Sequence, residues 1–259
     1  MVQWQNATFP RLRHGFDFRY PLKNPARGFF YFSFYMLSFL EMPDKNRNFP
    51  VGRDDTLKML GAIFMVVDHI GLILYPNIVF LRILGRLAFP IFAYYLVQGF
   101  IHTSSFKKYA LRLFIFGVAA QIPFFIATHI KILNIFFTLF VGLMALLAYE
   151  RKKYLAVLAI ILISGLIPMD YSFYGILTIL VFYVFQEKKL ATLAQAMVNI
   201  LGVFALGPIQ AYALVGSVLA LYYPKNLPKI QINKYFFYFF YPVHLAIIYG
   251  LSFLPIFAK

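Results

Sequence analysis

The amino-acid sequence predicts an all-α, polytopic integral membrane protein with about nine transmembrane helices and its N-terminus inside. Three observations carry this expectation: the apolar excess, the length of the apolar runs and the placement of the charges. Of 259 residues, 62% are hydrophobic, 20% are aromatic and only 13% are charged. A soluble domain is about half apolar and about a quarter charged, so this surplus needs lipid as its solvent. The runs reach roughly 15 to 25 residues, the length a hydrocarbon layer of about 30 Å demands at about 1.5 Å per residue. They lack period-2 alternation, which selects helices over strands.

The runs are Leu57–Tyr75, Leu84–Ile101, Tyr109–Thr128, Ile132–Tyr149, Tyr154–Pro168, Phe173–Phe185, Leu190–Leu206, Ile209–Tyr222 and Tyr235–Phe253. The fifth, sixth and eighth are short, which implies tilt, re-entry or extension past these limits. Counted from an inside N-terminus, the even gaps hold Lys107, Lys108, Arg112, Arg151, Lys152, Lys153, Lys188, Lys189, Lys225, Lys229 and Lys234. The odd gaps hold little beyond Lys131. That asymmetry assigns the basic gaps to the cytoplasm and the chain to a multi-pass place in the cell membrane. It also accounts for the net charge of +15 without a nucleic-acid partner, because the cations lie in short gaps rather than along a phosphate-tracking stripe. The sequence has no cysteine, which excludes disulfides and thiolate metal sites.

Residues 1–56 differ from the rest. They begin MVQWQNATFPRLRHGFDFRYP, with no apolar core of the signal-peptide kind. Their aromatic run Phe29–Leu40 is too short to cross a bilayer and suits an interfacial or re-entrant helix. The sequence therefore divides into a peripheral or poorly ordered leader, 1–56, and a helical membrane domain, 57–259; translation starting at Met42 is an alternative reading of the leader.

An ionisable side chain deep in a span costs roughly 2.5–3.5 kcal/mol on insertion scales, so each one needs a reason. The first run, LKMLGAIFMVVDHIGLILY, carries Asp68 and His69 past its midpoint, toward the outer face. The second opens LRILGR, so Arg82 and Arg86 share one helical face at the same level. The short connection Pro76–Leu81 makes the two helices antiparallel neighbours, in which Asp68 can pair with either guanidinium. Adjacent helical positions diverge by about 100°, which leaves His69 free for chemistry. Asp170, in the outer gap IPMDYSFYG, lies at the same level, and His244 follows Pro242 in the last run, where a proline frees a carbonyl and kinks the helix. Gln121 and Asn134 are expected as interhelical hydrogen-bonding groups. The sequence offers no GxxxxGK[ST], GxSxG, HExxH or GxGxxG, and so no motif for nucleotide hydrolysis, a serine triad or zinc. A metal site built from His69, Asp68 and His244 is the weaker reading, and no metal is expected.

The segments VVDHIGLILYPN, LRILGRLAFPIFAYYLVQGFIHTSSFKKYALRLFIFGVAAQIPF, ILNIFFTLFVGL and FYFFYPVHL, in that order between Leu57 and Leu251, resemble the TraX family. That family is named for a membrane factor that acetylates the N-terminus of conjugative F pilin, and is similar to a wider group of polytopic membrane acyltransferases. The leader before Met42 does not match it. The resemblance implies an acetyltransferase that takes acetyl-CoA as donor, with no tightly bound cofactor. The acceptor is then an amine or hydroxyl of a pilin-like protein or a surface glycan. It casts His69 as base or acyl carrier; the pairing of Asp68 with the guanidinium groups then makes Asp68, Arg82 and Arg86 its catalytic companions. Asp170, His244 and Tyr241 become substrate contacts, and Lys107, Lys108 and Arg112 hold the donor's phosphates. The same intramembrane charges also suit a proton-coupled transporter of a small anion, though no inverted repeat is visible, and a non-catalytic partner in appendage assembly is a third reading.

Overall fold

The computed structural model describes residues 55–224 and 230–254, all within the compact unit Met42–Lys259. Apart from Asp55 and Thr56, the leader with its aromatic run lies outside the described residues, as do Lys225 and Lys229.

The chain forms α1 (Thr56–Ile73), α2 (Val79–Gly85), α3 (Ala88–His102), α4 (Phe106–Thr128), α5 (Ile135–Glu150), α6 (Tyr154–Leu166) and α7 (Ser172–Val184). It continues as α8 (Lys188–Leu206), a 3-10 turn (Pro208–Tyr212), α9 (Ala213–Tyr222) and α10 (Lys234–Leu251). Among the described residues the only β feature is an isolated bridge between Leu133 and Met169. The fold is thus the all-helical polytopic one the apolar runs predict. Five segments are long and apolar enough to cross a bilayer: α1, the run Val79–His102, α4, α8 and α10. The segments Ile135–Glu150, Tyr154–Leu166, Ser172–Val184 and Pro208–Tyr222 are shorter apolar helices.

Two boundaries need correction. The second run starts at Val79 rather than Leu84 and breaks at Arg86–Leu87 before resuming as α3. Its two arginines interrupt the apolar run, and their pairing with Asp68 is not a local property of the sequence. The eighth run opens as a 3-10 turn after Gly207, whose φ of 98° suits glycine and ends α8.

The short helices have different reasons. α5 and α7 lie at the centre, with Leu143, Leu146, Leu147, Ile176 and Ile179 fully buried. α6 is peripheral, and its Leu155 and Leu166 are each 84% exposed, a lipid-facing surface rather than a defect in packing. On α4 the exposed residues Leu111, Ile115, Val118 and Ile122 repeat at helical spacing.

Contacts segregate by end, as alternating crossings require. At one end the Asp55 amide donates to the Ile230 carbonyl (2.8 Å), the Tyr183 hydroxyl donates to Glu150, and Lys188 lies over the Tyr222 ring (5.1 Å). At the other, Asp68 meets Arg82 (2.6 Å), and the Leu133 amide donates to the Pro168 carbonyl (2.9 Å). Among the described residues, the helix ends next to the basic gaps therefore gather at the first end, which the charge rule makes the inner one.

Gln121 and Asn134 bind helices as expected. The Asn134 amide nitrogen donates to the Gly117 carbonyl (2.8 Å) and to Gln121 Oε1 (2.9 Å). Asn134 Oδ1 caps α5 by accepting from the Phe136 amide (3.0 Å). Gln121 in turn donates to the Ile132 carbonyl (2.8 Å). Asn134→Ala removes the cap and the interhelical bonds to the Gly117 carbonyl and Gln121 Oε1, an expected loss of about 1–2 kcal/mol. Unchanged thermal unfolding of the purified variant would contradict this role.

Candidate active site

The site starts from the way α1 presents two consecutive side chains. α1 ends at Ile73 with Leu74 as its C-cap, and after a short turn α2 returns alongside it so closely that a Cβ on Gly71 would come 2.7 Å from the Leu81 Cβ. Asp68 points at α2. Its carboxylate accepts from Arg82 Nη1 (2.6 Å) and Arg86 Nη2 (3.3 Å), and Arg82 Nη1 also donates to the Asp68 carbonyl (3.0 Å). The acid side chain lies on Gly85, where an added Cβ would fall 2.0 Å from Asp68 Oδ1. The structure thus brings Asp68, Arg82 and Arg86 together as the spacing predicts. Arg82, bound to both carboxylate and backbone, is the tighter partner; Arg86 keeps a buried Nε–H with no acceptor.

His69 turns the other way, into the interior, and is 8% exposed. Its Nδ1 lies 2.9 Å from Nε2 of His244 on α10, and His244 Nδ1 lies 2.8 Å from the Phe240 carbonyl. A carbonyl only accepts, so His244 Nδ1 carries a hydrogen. In the neutral pair His244 Nε2 is then an acceptor, so the hydrogen between the rings sits on His69 Nδ1. His69 Nε2 is left with its lone pair. Tyr241 packs edge-on against both rings, with centroids 6.0 Å and 5.6 Å away. Its buried hydroxyl makes no well-formed hydrogen bond; the Ile135 backbone amide is a polar group beside it. The structure places His244, expected from the sequence as a substrate contact, as the hydrogen-bond partner of His69.

Asp170 lies in the loop between α6 and α7. Its amide donates to the Leu133 carbonyl (2.9 Å), and Thr138 donates to its carbonyl. Loss of hydration pushes its carboxyl up to about 6, offset in part by the Arg86 guanidinium. The fold therefore favours the protonated acid. This stability is full below the usual value near 3.8 and is lost as pH rises through about 6. Asp170→Asn should melt with less pH dependence than the native chain between pH 4 and 7; parallel melting curves would refute that.

Tyr171 escapes the sequence reading altogether. It holds φ at 61° and Ser172 holds 41°, a left-handed pair that bulky residues rarely adopt. Its ring stacks on Phe89 (4.1 Å between centroids) and faces the Arg86 guanidinium (5.8 Å). The signal was present in MDYSFYG, an aromatic beside the outer acid, but nothing local pairs it with Phe89.

Beneath the histidines an apolar cavity of about 90 Å³ reaches from Lys58 to Met65 and Tyr241. Lys107 and Lys108, in the first turn of α4, do not line it. Arg112 sits over the ring of Tyr109 (5.6 Å), which does. Among the described residues no three His, Asp or Glu side chains are grouped to hold a metal ion.

No solved structure matches this chain. Its relatives include a protein of Dichelobacter nodosus named probable fimbrial assembly protein FimC, serogroup H1. That protein is 30% identical over 229 residues, a match spanning 74% of this chain and 92% of that protein. Protein TraX of Escherichia coli is 27% identical over 215 residues, spanning 76% of this chain and 86% of that protein. The family model described as TraX protein matches residues 53–252, from the start of α1 through the end of α10 and so including every residue of the site. By that match, the chain belongs to the TraX family.

Proposed function

We propose that this protein is a membrane acyltransferase that moves an acetyl group from cytosolic acetyl-CoA to an amine or hydroxyl presented at the outer side. A pilin-type protein is the favoured acceptor, in keeping with the fimbrial assembly name of one relative, and a surface glycan is the alternative. The observation that carries the reading is the His69–His244 pair. It leaves His69 Nε2 as a buried base, one residue from the Asp68–arginine cluster and above an apolar cavity.

In the proposed reaction the acceptor nitrogen or oxygen attacks the thioester carbonyl while its proton passes to His69 Nε2. His69 Nδ1–H stays hydrogen-bonded to His244, which spreads the imidazolium charge over two rings. The Arg86 Nε–H, buried and without an acceptor, is the donor available to the tetrahedral oxyanion, an interaction whose removal typically costs about 3–4 kcal/mol. The C–S bond then breaks, and the thiolate takes the proton from His69. Asp68 holds both guanidinium groups in place; Asp170 is a substrate contact on the outer approach and Tyr241 one on the cavity side of the histidines. Lys107, Lys108 and Arg112 attract the donor's phosphates at the inner end.

Proteoliposomes incubated with acetyl-CoA labelled in the acetyl group test this reading. A labelled acceptor peptide or acyl-protein is expected. Unmodified label accumulating in the lumen would identify a permease instead, and no label in either place would leave a non-catalytic assembly role.

A further inference from the structure

The cavity below the histidines has a direction. Its walls follow two helices from the inner end upward. On α1 they run from Lys58 to Met65, which sits one turn before His69; on α10 they run from Phe237 to Tyr241, which sits one turn before His244. The bottom is charged and the top reactive. Lys58 holds its ammonium over the Phe237 ring at 4.1 Å and faces Tyr95 at 5.9 Å. Between the ends the lining is apolar, but it is interrupted by Tyr95, Tyr109, Tyr238 and Tyr241. Tyr109 donates to the Leu96 carbonyl (3.5 Å) and Tyr238 pairs with Arg112, so the Tyr241 hydroxyl is the group that an arm carrying amides, unlike an alkyl chain, would satisfy. The buried Tyr241 hydroxyl, without a well-formed bond, stands at the upper end, where an unsatisfied donor calls for a partner.

We infer that this cavity is the donor-arm channel, and that it takes a phosphopantetheine thioester with its phosphate on Lys58 and its acyl end at His69. The inference rests on the acyltransferase reading and adds the channel and Lys58 to it. Length agrees. The eleven residues from Lys58 to His69 rise about 16 Å at about 1.5 Å each. The twelve bonds from phosphate ester oxygen to sulfur span about 14 Å at about 1.2 Å per bond of extended chain. Lys107 and Lys108 lie outside the lining, so they serve the approach of the anion rather than its seat.

The native chain lacks cysteine, so L139C places a single thiol in the cavity wall. In nanodiscs, with His69→Ala present so that donor is not consumed, its reaction with N-ethylmaleimide can be followed by intact mass. Saturating acetyl-CoA should slow labelling at least tenfold. Adding K58Q should raise the acetyl-CoA concentration needed for protection about tenfold and leave protection by S-acetylpantetheine, which has no phosphate, unchanged. Met65→Cys serves as the second position if L139C does not fold. Labelling at one rate with and without acetyl-CoA overturns the inference, as does protection insensitive to K58Q. A thiol blocked in nanodiscs but reactive in delipidated detergent overturns it in favour of a lipid chain. Protection without any transfer by the native chain would instead sink the acyltransferase reading and leave the channel standing.

Discussion

His69→Ala should lower acetyl transfer by about 10²–10⁴-fold, the range a positioned general base contributes, while the protein still inserts and purifies as a helical bundle. His244 distinguishes positioning from structure. It touches the reaction only through the 2.9 Å bond to His69 Nδ1, so its loss leaves the base present but free to adopt the other tautomer or rotate. His244→Leu is expected to lower kcat by about 10–10²-fold with little change in KM for the acceptor, since ground-state binding is untouched. His244→Gln keeps an amide oxygen that can accept from His69 Nδ1–H and should recover part of that loss. Equal activity of the two variants would mean that His244 merely fills space. Full activity of His69→Ala would end the catalytic assignment.

How much of this was legible in the sequence depends on the range of the interaction. Span positions followed from local run length, and the alternation of basic gaps agrees with how the helix ends meet. The Asp68–arginine cluster was also legible, because two helices joined by a five-residue turn leave little choice of neighbour. The histidine pair was not. Its members are 175 residues apart, and a proline beside His244 says that a helix bends, not toward what. A weaker signal did exist. On α10 the buried residues Phe237, Tyr241, His244, Leu245 and Ile248 form one stripe at helical spacing, and on α1 so do Leu57, Gly61, Ala62 and His69. Each histidine therefore lies on an inward face, yet the meeting of those two faces is decided by packing across the whole bundle. The cavity is a property of five helices together, and no single segment records it.

The glycine between the arginines supplies the other large effect. Gly85→Ala would put a methyl group 2.0 Å from Asp68 Oδ1 and 2.2 Å from its Cβ, distances no rotamer adjustment within the site absorbs. The nearest neighbour is the acid itself, its Cβ included, so α2 has to withdraw from α1 and the carboxylate is drawn off its arginines. That breaks a largely buried ion cluster whose side chains are 12–21% exposed, and separating such partners costs about 3–5 kcal/mol because the remaining charge is left unpaired. Asp68→Ala reaches the same end by a different route: it removes the acid and leaves two guanidinium groups facing apolar surroundings. The two substitutions should therefore be strongly non-additive. Once Asp68 is alanine the ion cluster is already broken, so Gly85→Ala adds only the clash with the remaining Cβ, 2.2 Å away, and a double-mutant cycle on thermal unfolding should show a coupling of a few kcal/mol. Transfer activity should fall with either single change, because Arg86 loses the anchor that holds its free Nε–H in place. Gly85→Ala protein with native melting temperature and native activity would show that Asp68 does not need the surface of α2, and the arginine cluster would lose its place in the mechanism.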